Sequence, residues 1–170
     1  MRFIQRWALM RNTEPENIQE HSHMVAILAH ALALLQNKHF GGHIDPGQAV
    51  LLALYHDATE ILTGDLPTPI KYYNPALRAS YKEVEETAAN RLLELLPEEL
   101  RGDYAPYLLH PDPELEAVVK AADKLDAYLK CVKERKAGNG EFQTAQVQIW
   151  DALQANPLPA LGYFIQHYLP

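Results

Sequence analysis

The chain has 170 residues, 48% of them hydrophobic and 22% charged, with a formal net charge of −7 and one cysteine, Cys131. That size and apolar content fit a single globular domain over residues 1–170 with a sizeable core. The acidic balance excludes a nucleic-acid polymer as a partner gripped by phosphate neutralisation, and the lone thiol excludes an internal disulfide or thiol cluster and fits a reducing cytoplasm.

The first residues, MRFIQRWALMRNTEPE, break their apolar positions with Gln5, Arg6 and Arg11, unlike a secretory signal. Arg2, Arg6 and Arg11 all precede the first acid, Glu14. Two readings stay open for them: a local cluster able to hold one phosphate, or three solvated arginines on a surface helix. Asn17 followed by Glu20 marks a capped helix start, and Gly41-Gly42 marks its end. At about 100° per residue, His21 falls on the stripe of Val25, Leu28, Leu32 and Leu35, while His23 and His30 face the opposite way. The apolar run over 25–35 is too short to span a bilayer and contains His30, so no membrane partner is expected.

Asp45-Pro46 opens a second helix predicted to reach about residue 62, where Gly64, Pro67 and Pro69 stop it. His56, Asp57 and Glu60 share one broad face near its C-terminus. Acids there oppose the helix dipole unless a cation compensates, and Leu51, Leu52 and Leu54 just upstream suggest that this end is buried. The stretch TGDLPTP then reads as a stiff loop. A third helix is predicted over about 75–96, and Asp112-Pro113 opens a fourth that stops near Gly138. Asp123 and Asp126 both border its apolar stripe of Leu115, Val118, Ala122, Leu125, Leu129 and Val132, with Asp126 the nearer; spacing does not choose between them. Segments over about 141–155 and 158–167 complete an all-α, compact irregular helical bundle.

His21, then His56-Asp57, then an aspartate in Ala122-Asp123-Lys124-Leu125 resembles the H...HD...D signature of the HD-domain metal-dependent phosphohydrolases. RWALMRN at 6–12, EHS at 20–22, HDATE at 56–60, TGDLPTPIKY at 63–72 and AADKLDAYLKC at 121–131 further resemble the YfbR-type 5'-deoxynucleotidases. The resemblance covers roughly residues 6–142 and weakens over the last helices. It implies metal ligands His21, His56, Asp57 and Asp123, choosing Asp123 over Asp126, which becomes a neighbour or a partner of the ligands. It also implies proton transfer by Glu60, phosphate contact by Arg6, and contacts of Asp65, Leu66, Pro67 and Thr68 with sugar and phosphate. Trp7 is implied to pack beside the sugar and exclude a ribose 2'-hydroxyl.

Two imidazoles and two carboxylates suit one divalent transition metal ion, cobalt or manganese foremost, with zinc, iron, nickel or copper also within reach of the donor set. The expected substrate is a deoxyribonucleoside 5'-monophosphate, hydrolysed to deoxynucleoside and phosphate. The competing expectations are another nucleotide substrate for the same phosphohydrolase chemistry, or a regulatory module that binds a nucleotide without hydrolysis. A homodimer is implied too, with Tyr163, Phe164, Ile165 and Tyr168 as candidates either for its contact or for closing the core.

Overall fold

A computed structural model describes residues 1–71 and 73–169; Tyr72, at the end of the TGDLPTPIKY stretch, and Pro170 lie outside the described residues. The helices in chain order are α1 (Ile18–His39), α2 (Pro46–Tyr55), α3 (Glu60–Thr63), α4 (Thr68–Lys71), α5 (Pro75–Glu94), α6 (Glu98–Leu108), α7 (Pro113–Lys136), α8 (Gln143–Gln154) and α9 (Pro159–Tyr168), with a 3-10 turn at Gly140–Phe142. Among the described residues no β-sheet forms, and no helix is long and apolar enough to cross a membrane.

The centre is α1 packed between α2, α7 and α9. Its start is fixed by a capping box in which the Asn17 side chain accepts from the Glu20 amide and the Glu20 carboxylate accepts from the Asn17 amide. Its end is released at Phe40, and Gly41 follows at φ 68°, a conformation glycine adopts without the Cβ clash. Val25, Ala29 and Leu32 of α1 meet Ala49, Leu52 and Ala53 of α2 and Val118, Ala122 and Leu125 of α7 in one apolar cluster. The small side chains among them let the three helices approach closely. Leu125 is wholly buried there, and truncating it to alanine should cost about 2–5 kcal/mol.

Three expectations need correction. The second helix does not run on to residue 62 but stops at Tyr55. The His56 ring donates from Nδ1 to the Ala53 carbonyl at 2.6 Å, the acceptor that the Asp57 amide would use if the helix continued. The backbone then tightens into three-residue turns, with Ala58 bonding to Tyr55, Glu60 to Asp57 and Leu62 to Thr59, before Gly64 at φ 72° ends α3. Helix α6 occupies a stretch between the predicted third and fourth helices to which the sequence pattern assigns no element; it contains Gly102 and Pro106 and buries no residue fully. It is held instead by Tyr104 and Tyr107, whose rings lie 5.6 and 6.0 Å from that of Tyr55, and by the Tyr107 hydroxyl donating to Gln48 at 2.7 Å. The TGDLPTP stretch is likewise not all loop, since α4 begins at Thr68.

Residues 1–17 form no helix, so the arginines there do not sit on a helical surface. The segment is an irregular strap laid back along the bundle, with an isolated bridge between Gln5 and Asn17. A buried polar network on α7 ties it down. Glu134 accepts from the Thr13 amide, the Thr13 hydroxyl and the Asn139 side chain, while Lys130 donates to the Glu14 carbonyl at 2.6 Å and pairs with Glu134.

Candidate active site

The helix register of α1 puts His21 on the buried face, 1% exposed, while His23 and His30 are exposed as their spacing predicts. Across from it, α7 presents two aspartates one turn apart, and the turn after α2 presents His56 and Asp57. His21 Nδ1 lies 2.6 Å from Asp126 Oδ2, and His21 Nε2 lies 3.1 Å from Asp123 Oδ1 and 3.5 Å from Asp57 Oδ2. His56 Nε2 lies 3.2 Å from Asp57 Oδ2, and the two imidazole rings stand 5.3 Å apart.

The tautomers follow from these contacts. A carbonyl oxygen can only accept, so His56 carries its proton on Nδ1 toward Ala53 and leaves Nε2 as a lone pair when neutral. The Asp126 carboxylate does the same for His21. Both Nε2 atoms are buried without a hydrogen-bond partner, as is Oε2 of Glu60. Near neighbours of the two nitrogens are carboxylate oxygens, of Asp123 and Asp57 at His21 and of Asp57 at His56. One atom each of His21, His56 and Asp123 falls within 4.8 Å of the others, and Oδ2 of Asp57 completes the set.

Electrostatics favour a cation at that point. Burial raises the Glu60 carboxyl to about 9, helped by the charges of Asp57 and Asp65. Burial opposes charge on His56, yet Asp57 and Asp123 outweigh it and lift its pKa to about 9. Asp123 is held well below the usual carboxylate range: burial works against its charge, but His21, His56 and Arg6 prevail. A divalent ion would relieve this crowding of acids, and the pair of imidazole nitrogens directs the choice toward transition metals rather than magnesium. The donor set therefore fits the expected ion.

The sequence placed the burial of this turn on Leu51, Leu52 and Leu54; only Leu52 is buried, and Leu51 and Leu54 are exposed. Helices α1 and α7 and the strap enclose the acids instead. Glu60 does not pair with Lys71, which binds Glu85 at 2.6 Å.

A cleft of about 560 Å³ opens beside the cluster. Arg6, Trp7, Asp65, Pro67, Thr68 and Asp123 line it, with Ala145, Gln148 and Ile149 of α8 on the far wall. Leu66 is half-buried within the same loop. The arginine cluster of the sequence is divided: Arg6 enters the site, with Nη2 3.9 Å from Asp123 and Nη1 2.6 Å from Glu16, while Arg11 is exposed and faces Glu141. The indole of Trp7 packs 5.2 Å from the ring of Phe142.

Two parts of the site carry little or no trace in the sequence. Glu16 precedes the α1 cap in irregular chain, where no periodicity assigns its direction. The α8 wall lies beyond the segments that carry motifs. Asp126, by contrast, was legible as the aspartate nearer the buried stripe, and it is indeed the more buried of the pair.

Comparison with known proteins places these features in company. A family model described as 5'-deoxynucleotidase YfbR-like matches residues 1–170. A 5'-deoxynucleotidase of Vibrio parahaemolyticus is 51% identical over 172 aligned positions, covering 100% of this chain and 89% of that protein. Among solved structures, an HD-domain phosphohydrolase from Listeria innocua superposes with a TM-score of 0.85 at 24% identity, over 98% of this chain and 82% of its own. The HD phosphohydrolase of cyanophage S-2L, bound to dA and one catalytic zinc ion, superposes with a TM-score of 0.60 at 23% identity, over 96% and 88%.

Proposed function

The chain belongs to the YfbR-like 5'-deoxynucleotidase family, and from that premise we propose how its residues divide the work of hydrolysis. It is a phosphomonoester hydrolase that converts deoxyribonucleoside 5'-monophosphates to deoxynucleoside and phosphate. The observation that carries the division of roles is the pair of buried, unpartnered Nε2 atoms converging with Asp57 and Asp123 at the mouth of the cleft.

His21, His56, Asp57 and Asp123 hold one divalent ion, with cobalt or manganese foremost; the zinc of the cyanophage protein keeps that metal in the set. When bound, the ion neutralises phosphate charge and acidifies a water molecule. Asp126 and the Ala53 carbonyl fix the two imidazoles in the ligating tautomer. Arg6 directs Nη2 at the phosphate from the side of Asp123, with its other terminal nitrogen already engaged by Glu16.

Glu60 handles the protons. Its raised pKa reflects burial and the charges of Asp57 and Asp65, a field that a divalent cation offsets. The carboxylate takes a proton from the water that attacks phosphorus. As the bond from phosphorus to the 5'-oxygen breaks, the protonated form returns that proton to the leaving alkoxide. Asp65, Leu66, Pro67 and Thr68 border the sugar, and the Trp7 indole fills the volume that a 2'-hydroxyl needs. The neutral α8 wall of Ala145, Gln148 and Ile149 offers no charge with which to select a base.

A cytoplasmic homodimer completes the proposal. Phe164 and Ile165 pack on the core, whereas Tyr168 is 58% exposed, which leaves Tyr168 as the stronger contact of the four aromatic and apolar candidates.

The test is phosphate release from dAMP and AMP by chelator-stripped protein, with cobalt, manganese, zinc or magnesium restored. Metal-dependent release favouring dAMP is expected. Equal release from both would remove the sugar role of Trp7, and binding of nucleotide with no release under any metal would overturn the division of catalytic roles.

A further inference from the structure

One carboxylate oxygen holds both arms of the cleft. Oε2 of Glu16 accepts from Arg6 Nη1 at 2.6 Å and from Trp7 Nε1 at 3.1 Å, and the Glu16 carbonyl accepts from the Arg6 amide at 2.9 Å. The ion pair is shielded, with the Arg6 and Glu16 side chains 13% and 16% exposed. Such a bond between ionised groups is shorter and stronger than a neutral one.

Trp7 needs that hold. Among the described residues it is the only non-glycine with positive φ, at 60°. A bulky residue there pays a steric cost and stays only when its surroundings over-determine it. The constraints are few: the Glu16 bond, the Phe142 ring at 5.2 Å, the Arg6 guanidinium 5.8 Å from the indole centre, and bonds to the Trp7 carbonyl from the Met10 amide and the Asn12 side chain. Only the first fixes where the indole nitrogen points, and the same oxygen fixes the guanidinium.

We propose that Glu16 is a positioning residue that locks the Trp7 indole and the Arg6 guanidinium together, so that phosphate grip and sugar selection are set by one side chain. This rests on the roles given above to Arg6 and Trp7. Glu16 is not one of the four ligands assigned above, and its Oε2 is turned to Arg6 and Trp7. Substituting it therefore alters the selectivity between dAMP and AMP while leaving metal binding intact, a pattern that general loosening of the fold does not produce.

The experiment measures kcat and KM for dAMP and AMP in the parent, Glu16→Gln, Trp7→Phe and the double variant, with metal affinity by calorimetry. Phenylalanine keeps a ring but has no N–H to offer Glu16. Each single change should lower the kcat/KM ratio of dAMP to AMP by about tenfold, the scale of one charge-assisted hydrogen bond, and Glu16→Gln should also raise KM for both substrates. The double variant should fall no further in selectivity than the worse single, and metal affinity should stay within about twofold of the parent. Parental selectivity in Glu16→Gln, or losses that multiply in the double variant, would overturn the proposal. If Glu16→Gln does not fold, Glu16→Asp, which keeps the charge but shortens the reach, takes its place, and full selectivity in Trp7→Phe overturns the proposal, since without the N–H Glu16 has nothing to hold. Trp7→Ala separates the two levels: parental selectivity in that variant removes the sugar gate itself, whereas lost selectivity there with none lost in Glu16→Gln removes only Glu16.

Discussion

Oδ2 of Asp126 lies 2.6 Å from Nδ1 of His21, while Oδ1 of Asp123, one turn earlier on the same helix, lies 3.1 Å from Nε2 of that ring. The two aspartates thus address opposite nitrogens of a single imidazole; on the proposed assignment one orients it and the other shares its metal. Asp126→Ala should weaken metal binding about 10–100-fold by calorimetry, because the ring loses the partner that fixes its tautomer. Asp126→Asn keeps an acceptor and should retain most of the affinity. Undiminished binding in the alanine variant would count against the orienting role.

Glu60 is expected to separate binding from turnover. Glu60→Gln should bind metal like the parent and lose about 10²–10⁴-fold in kcat, the range for removal of a general acid-base group. His56→Ala and Asp57→Ala should lose the metal as well. A Glu60→Gln enzyme turning over near the parental rate would transfer the proton step elsewhere.

Metal should act on stability as well as on rate. At a free concentration of a hundred times Kd the ion stabilises the folded chain by about 2.7 kcal/mol, and chelation reverses this. The melting temperature of stripped protein should rise on adding cobalt or manganese, and the rise should vanish in Asp57→Ala. An equal rise in that variant would place the ion outside the cluster.

The buried Glu134 makes an acid-sensitive anchor. Burial opposes its charge, but the Lys130 ammonium and the donors from Thr13 and Asn139 outweigh it and hold its carboxyl well below the usual range. A depressed folded pKa gives stability that is fully present above the unfolded value of about 4.3 and lost as pH falls through the folded one. Glu134→Ala should cost about 3–5 kcal/mol in urea unfolding at pH 7, since Lys130 is left buried and unpaired. The gap between parent and variant should narrow steadily below about pH 4. A gap unchanged by acid would mean that the carboxylate charge contributes nothing.

The contrast between what the chain declares and what it hides follows from range. Caps and stops are written in neighbouring residues, so the start of α1 at Asn17 and of α7 at Asp112 could be read directly, as could the inward turn of His21. The break after Tyr55 could not, because it depends on the His56 ring displacing a backbone amide at Ala53, and propensity sees only an apolar run that continues. Helix α6 was hidden because tyrosines contacting α2 hold it rather than an apolar stripe. The proposed ligand residues came as a set only through the family that their order resembles, whereas the geometry of Glu16 depends on a strap with no period at all.

The strap's anchorage has a consequence for synthesis. Arg6 and Trp7 are made early, yet the groups that seat their segment, Lys130, Glu134 and Asn139, emerge more than a hundred residues later. Contacts of such long sequence separation form only after the intervening chain has collapsed. A nascent chain therefore has neither the proposed ligand Asp123 nor a docked strap until residues 123–139 have emerged, so the cleft that Arg6 and Trp7 line is assembled late.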